Sequence, residues 1–370
     1  MKAYQSCQNG LQFNNNVKVC DWAENVNCDA AVNPPAPIPP LPPPGPPIPA
    51  SAYYFAGYYQ SWSGPWAMSA EQVPIAAMPN YVNVIIMSFM KPDTTYAGGV
   101  TFQGTGLDVM AENVAYYKDA ISIVKERNPY TRVLLAVGGA TYYNWDSFQA
   151  QRIGNFVKMF GFDGVDIDFE PQSPSCTYNT STGKINCSTD AKYESVVKAM
   201  RAELPKSSGY WITTATFSTG CYGEGAYRYS LPTGSIYTGV NINVLRNLGT
   251  NYLDAIMIMA YDAGNNFDPI EAFNACKSYY NGRIMLGVQV SPDSWPGIGA
   301  PNAKPPLEYT ELRKYTDYVK NNGGHGMMLW SLQKPPGQTG ALNAQQIAQD
   351  VCTRLGIGGC SQTYPGTRSY

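Results

Sequence analysis

Gly161-Phe162-Asp163-Gly164-Val165-Asp166-Ile167-Asp168-Phe169-Glu170-Pro171 sets four carboxyl groups among large apolar side chains. In an extended strand, side chains alternate faces, so Asp166, Asp168 and Glu170 share one face while Val165, Ile167 and Phe169 share the other. A solvated acidic loop would not interleave its acids this way, and a magnesium site favours oxygen ligands from separate elements. Three acids on one face of a buried strand cannot all ionise. One proton is therefore expected to be shared, with the outermost carboxyl raised in pKa. Glu170 is last in the run, and Pro171 stops the strand directly after it. Asp163 has the opposite parity and reads as structural.

On both sides of this run, short stretches rich in Val, Ile, Tyr and Phe recur: Tyr53–Gln60, Val82–Phe89, Val133–Val137, Trp211–Phe217, Ala255–Tyr261, Ile284–Val290 and Met327–Leu332. With Gly164–Phe169 they make eight buried strands. Helical spacing marks Val109–Arg127, Thr189–Leu204, Pro269–Tyr280, Leu307–Asn321 and Ala344–Leu355 between them. The alternation predicts an α/β fold, a (β/α)8 TIM barrel over residues 51–358, although periodicity leaves an open doubly wound sheet possible. The stretch between the seventh and eighth strands has room for one helix and no inserted domain. In a barrel, Glu170 falls at the C-terminal strand ends, where active sites are built.

Composition narrows the chemistry. A net charge of −2 gives no basic footprint for nucleic acid. The 28 Tyr, 12 Phe and 7 Trp supply flat faces for a neutral polymer such as a glycan. The sole histidine, His325, excludes multi-histidine zinc sites and reads as structural, so neither metal nor cofactor is expected. No apolar stretch is long enough to span a membrane. The nine cysteines include two close pairs, Cys176/Cys187 and Cys352/Cys360, suited to loop-stapling disulfides in an oxidising compartment. Asn179-Thr180-Ser181 and Asn186-Cys187-Ser188 are glycosylation sequons, and a secreted, extracellular, monomeric protein is expected. The opening Met1–Cys7 has no apolar h-region, so a shortened chain lacking its export signal is expected.

Eleven of the seventeen residues at 34–50 are proline, which reads as a semi-rigid polyproline linker. Residues 1–33 are too few for an apolar core and would depend on disulfides from Cys7, Cys20 and Cys28. Their Cys7-Gln8-Asn9-Gly10-Leu11-Gln12-Phe13-Asn14, Val19-Cys20-Asp21-Trp22 and Asn25-Val26-Asn27-Cys28 resemble the C-terminal half of a peritrophin-A type chitin-binding module. Residues 359–370 read as a tail.

The acid run is similar to the Asp-x-x-Asp-x-Asp-x-Glu signature of glycoside hydrolase family 18, matched at Asp163, Asp166, Asp168 and Glu170. Ala136-Val137-Gly138-Gly139 resembles that family's Ser-x-Gly-Gly, with Ala136 in place of the serine. Met259-Ala260-Tyr261-Asp262 resembles its Met-x-Tyr-Asp, and Trp330 its cleft-floor tryptophan. The resemblance covers roughly residues 52–355. It implies a chitinase without metal or cofactor, in which the substrate supplies the nucleophile.

On that resemblance, Glu170 protonates the glycosidic oxygen and the sugar's N-acetyl carbonyl attacks the anomeric carbon. Asp168 orients the acetamido group, Asp166 holds the shared proton, Tyr261 donates to the acetamido oxygen, and Asp262 bonds the distorted sugar. Met259, Tyr58, Gly138, Gly139 and Trp330 complete the binding set. Trp62, Trp66, Trp145 and Trp295, with Tyr58, are expected as stacking platforms for chitin and chitooligosaccharides. The missing insertion implies an open groove and endo-type cutting. Two alternatives are a catalytically weak chitin-binding lectin and an endo-β-N-acetylglucosaminidase acting on N-glycans.

Overall fold

The computed structural model describes residues 53–363 and, separately, an antiparallel pair of short strands, Leu11–Asn14 and Val19–Trp22. The rest of segment 1–33, the proline-rich 34–50 and the end of the tail lie outside the described residues.

Eight parallel strands form the expected barrel: β1 (Tyr54–Gln60), β2 (Val84–Met90), β3 (Arg132–Gly138), β4 (Gly164–Asp168), β5 (Trp211–Thr216), β6 (Ala255–Ile258), β7 (Arg283–Gln289) and β8 (Gly326–Trp330). Closure is settled by β8 pairing with β1, Gly326 opposite Tyr54 and Leu329 opposite Gly57. Strand parity then separates two apolar cores. Tyr54, Ala56, Val84, Ile86, Leu134 and Met328 fill the barrel interior, while Phe55, Ile85, Val133, Val165, Ile167 and Leu329 face the helices.

Seven α-helices are described: α1 (Ala115–Arg127), α2 (Ala150–Phe160), α3 (Asp190–Glu203), α4 (Ile242–Tyr252), α5 (Pro269–Lys277), α6 (Tyr309–Asn321) and α7 (Ala344–Leu355). The β1–β2 crossover has only two 3₁₀ turns, Ala70–Gln72 and Pro74–Ala77. Helices α2 and α4 are additional to the five stretches marked by helical spacing. Helix α1 begins at Ala115, later than the expected Val109, because Met110 and Glu112 extend along Ala67 instead. Only α6 lies between β7 and β8, so no domain is inserted there. Gln362 accepts from the Asn80 amide and its carbonyl accepts from the Tyr81 hydroxyl, so barrel packing continues past the expected boundary at 358.

One device recurs at the N-terminal end of the barrel. The residue before each even strand accepts a hydrogen bond from the second amide of the preceding odd strand. Asn83 takes Phe55 N at 2.8 Å, Asp163 takes Val133 N at 2.8 Å, Asp254 takes Ile212 N at 2.8 Å, and His325 Nδ1 faces Ile284 N at 3.4 Å. The lone histidine is thus structural. Burial and the charges of Arg283 and Lys277 lower its pKa, which keeps it neutral and able to accept. Asp163 also receives Lys125 Nζ at 2.7 Å and lies 3.8 Å from Arg132. Removing one partner of such a buried set typically costs about 3–5 kcal/mol. Asp163→Ala is expected to lose that much stability in urea denaturation, and a loss below about 1 kcal/mol would show the pairing to be ornamental.

Both expected disulfides are present, Cys176–Cys187 and Cys352–Cys360. A third, Cys221–Cys276, ties the loop after β5 to α5. Its 55-residue separation hides it from a search for close pairs.

Candidate active site

The mouth of the barrel at the C-terminal strand ends gathers the acid run. Asp166 and Asp168 are buried on the inner face of β4, and Glu170, two residues past the strand's end, is partly exposed. Asp166 accepts hydrogen bonds from Tyr58 Oη at 2.6 Å and Thr213 Oγ1 at 2.6 Å. Burial raises its pKa to about 6, against the pull of those two donors. Asp168 is raised well above the usual carboxylate range by burial, then by the charges of Glu170 and Asp166. The Asp168–Glu170 interaction raises Asp168 and lowers Glu170. Burial nonetheless pushes Glu170 up to about 7, with the Asp262 charge adding to the rise.

This arrangement satisfies the deepest acid. Asp166 accepts from two hydroxyls that favour its ionised form, while burial works against them and raises it on balance. The arrangement also fills the gap left by Ala136. No serine is present there, but Tyr58 and Thr213 supply hydroxyls to the deepest acid. Thr213 is the barrel-register partner of Asp166 on β5, and sequence reasoning missed it.

Strand β6 ends at Ile258, short of the expected Tyr261, and the chain turns as Ala260 N bonds Ile258 O. Past this turn Tyr261 meets the acids from across the mouth, its pKa raised by burial and by Asp168, Asp262 and Glu170. Asp262 adopts a left-handed conformation with φ 52°. Its Oδ1 accepts from Gln289 Nε2 at 2.7 Å, Ser294 N at 2.7 Å and Trp295 N at 3.2 Å. Glu170, Met259, Tyr261, Asp262 and Trp295 line a cleft of about 480 Å³, closed on one side by Phe217 stacked at 3.9 Å on Tyr237.

The aromatic expectations divide. Trp330 stacks on Phe89 at 5.6 Å, and Phe89 on Trp62 at 6.0 Å, giving a ladder from barrel floor to rim. Trp62, Trp66 and Trp295 are exposed at 41%, 46% and 57%. Trp145 is not a platform: at 3% exposure it is wedged between Phe148 and Phe169. Tyr58, at 1%, is spent on Asp166 and edge-on contact with Trp330, so it positions rather than stacks. Gly138 and Gly139 are buried and shape the acid strand from behind, with Gly139 N donating to Asp168 O at 2.9 Å.

Comparison with known proteins agrees with this fold. The family model described as "Glycosyl hydrolases family 18" matches residues 54–305. A protein from Plasmodium falciparum (isolate 3D7) named "Chitinase" is 35% identical over 127 residues, 31% of this chain and 32% of that protein. The matched segment thus spans about a third of that relative's length. Among solved structures, a family 18 chitinase from Pseudoalteromonas aurantia superposes with a TM-score of 0.51 at 17% identity, covering 75% of this chain and 93% of the other. Human YKL-39, described as a pseudo-chitinase with retained chitooligosaccharide binding, gives 0.55 at 13% identity, covering 82% and 100%. At these identities the likeness speaks for the fold.

Proposed function

The chain belongs to glycosyl hydrolase family 18, and from that premise we propose that it is a secreted, monomeric chitinase cutting β-1,4 bonds between N-acetylglucosamine units within the polymer. The observation that carries this reading is the buried Asp166–Asp168–Glu170 stack. Its outermost member is held near pKa 7 at the edge of a cleft, where a general acid would stand.

The chemistry runs without a protein nucleophile. Glu170 gives its proton to the glycosidic oxygen as the bond to the anomeric carbon breaks, and the acetamido oxygen of the same sugar closes onto that carbon from the other side. Asp168 turns from Glu170 to accept the acetamido N–H, its own proton passing to Asp166, while Tyr261 donates to the carbonyl oxygen. Glu170, now ionised, takes a proton from the water that opens the oxazolinium ring. Two inversions leave the β configuration retained. Trp330 floors the sugar, and the three disulfides among the described residues suit an oxidising compartment. The open cleft, with only α6 between β7 and β8, favours endo action.

The reading is tested by assaying colloidal chitin, a chitin hexamer and a high-mannose glycoprotein. Cleavage of the first two, with internal cuts in the hexamer, supports it. Cleavage of the glycoprotein alone would identify an N-glycan endoglycosidase, and binding without cleavage a lectin. The pH–rate profile is a further check. Because Glu170 must be protonated, kcat/KM should be sustained below and fall above about pH 7. A profile still rising through pH 8 would remove Glu170 as the acid.

A further inference from the structure

Next to the catalytic cleft lies a second cavity of about 510 Å³, walled by the disulfide-closed hairpin Cys176–Asn179/Lys184–Cys187 and the loop after β5. The two cavities share Ser235 and Ile236 as a common rim. They are also continuous along the chain, since Glu170 lines the first while Gln172 and Ser173 line the second. Three residues of chain span at most about 11 Å, so the second cavity opens close to the acid. It stands above β4 and β5, across the barrel mouth from the Trp330–Phe89–Trp62 ladder on β8, β2 and the end of β1.

This cavity is built. Glu224 accepts the Ile185 amide at 3.0 Å and pairs with Arg246, Asn243 Nδ2 donates to Ile185 O at 3.2 Å, and Cys221–Cys276 anchors the loop's start. The Ile185 side chain packs where Gly223 and Gly239 lack a Cβ, so hairpin and loop hold one another in register. Over the cavity, the Arg228 guanidinium carbon stands 3.7 Å from the centre of the Tyr178 ring, with the Tyr229 ring 4.9 Å away. Among the described residues the guanidinium has no carboxylate partner. Its N–H groups are free to donate to neutral oxygens beside the aromatic face.

We propose that the Tyr178–Arg228 platform is an added binding site for the same polymer. It would hold N-acetylhexosamine units that extend beyond the catalytic cleft and so set a preference for long chains. Hydroxyl and acetamido carbonyl oxygens suit the uncommitted guanidinium, and a sugar face suits the aromatic ring. A short chain that ends inside the catalytic cleft would never reach it. This inference rests on the proposed chitinase reading and adds chain-length selection to it.

The test compares wild type, Arg228→Ala and Tyr178→Ala on a chitobioside with a chromogenic leaving group and on a chitin hexamer and octamer. Thermal melting confirms that each variant is folded. Expected is a KM for hexamer and octamer raised about tenfold, equivalent to about 1.4 kcal/mol, with the chitobioside constants unchanged. Equal losses on short and long substrates, or no loss on either, would overturn the site. A wild type that cleaves none of these substrates would instead refute the chitinase reading, so the two failures are distinguishable.

Discussion

Glu170→Gln is expected to lower kcat on a chitin hexamer by about a thousandfold or more, since a positioned general acid typically supplies 10²–10⁴ of rate. The amide keeps the size and hydrogen-bonding reach of the carboxyl but has no proton to give. Binding should survive: Trp330, Tyr261 and Asp262 do not depend on Glu170 for their places, so the variant should retain hexamer affinity within a few-fold by calorimetry. Stability should move the other way. With an ordinary value of 4.5 raised to about 7, Glu170 binds its proton more tightly in the folded protein. Its favourable contribution is complete below about pH 4.5 and lost as pH rises through 7. At pH 8 the glutamine variant should therefore melt higher than wild type, with the gap closing towards pH 4.

Gly138→Ala should be the most disruptive single methyl near the site. Gly138 sits at φ 106°, where a side chain is strained, and an added Cβ would meet Asp168 O at 2.2 Å and Trp145 Cζ2 at 2.4 Å. Neither is a flexible tip, since one is backbone and the other a buried ring. Overpacking and φ strain together should cost about 3 kcal/mol or more, read as a lowered urea midpoint. What protein remains folded should have lost activity as well, because relief of the clash moves the β4 backbone that carries Asp168. Unchanged stability with full activity would show that β3 and β4 do not pack as described.

These two positions also show what the sequence made legible. The inward parity of Asp166, Asp168 and Glu170 follows from strand alternation alone, and the structure keeps it because β4 is regular and buried on both faces. The eight strands were readable for the same reason: parallel barrel strands are near-continuous apolar runs. Closure was not, because the β8–β1 pairing leaves no mark on periodicity. Phe89 went unnoticed because the β2 register shifts between Met87 and Met90, which breaks the alternation that would have turned it inward. Thr213 could have been found. It lies on the inward parity of Trp211 and Ala215, one strand from the acids, but a lone threonine in a β-branched run looks like any other strand residue. Trp145 misled in the opposite direction: a tryptophan in a predicted loop read as a platform, whereas the space left by Gly138 draws it inside.

The central claim is that Glu170 works with the substrate's own acetamido group rather than a second protein carboxylate. The most direct measurement is the proton NMR spectrum of products in the first minutes of chitin-hexamer cleavage, before mutarotation. The account predicts newly formed reducing ends in the β configuration. Initial release of the α anomer would mean a single inversion by a water-activating base and would contradict it.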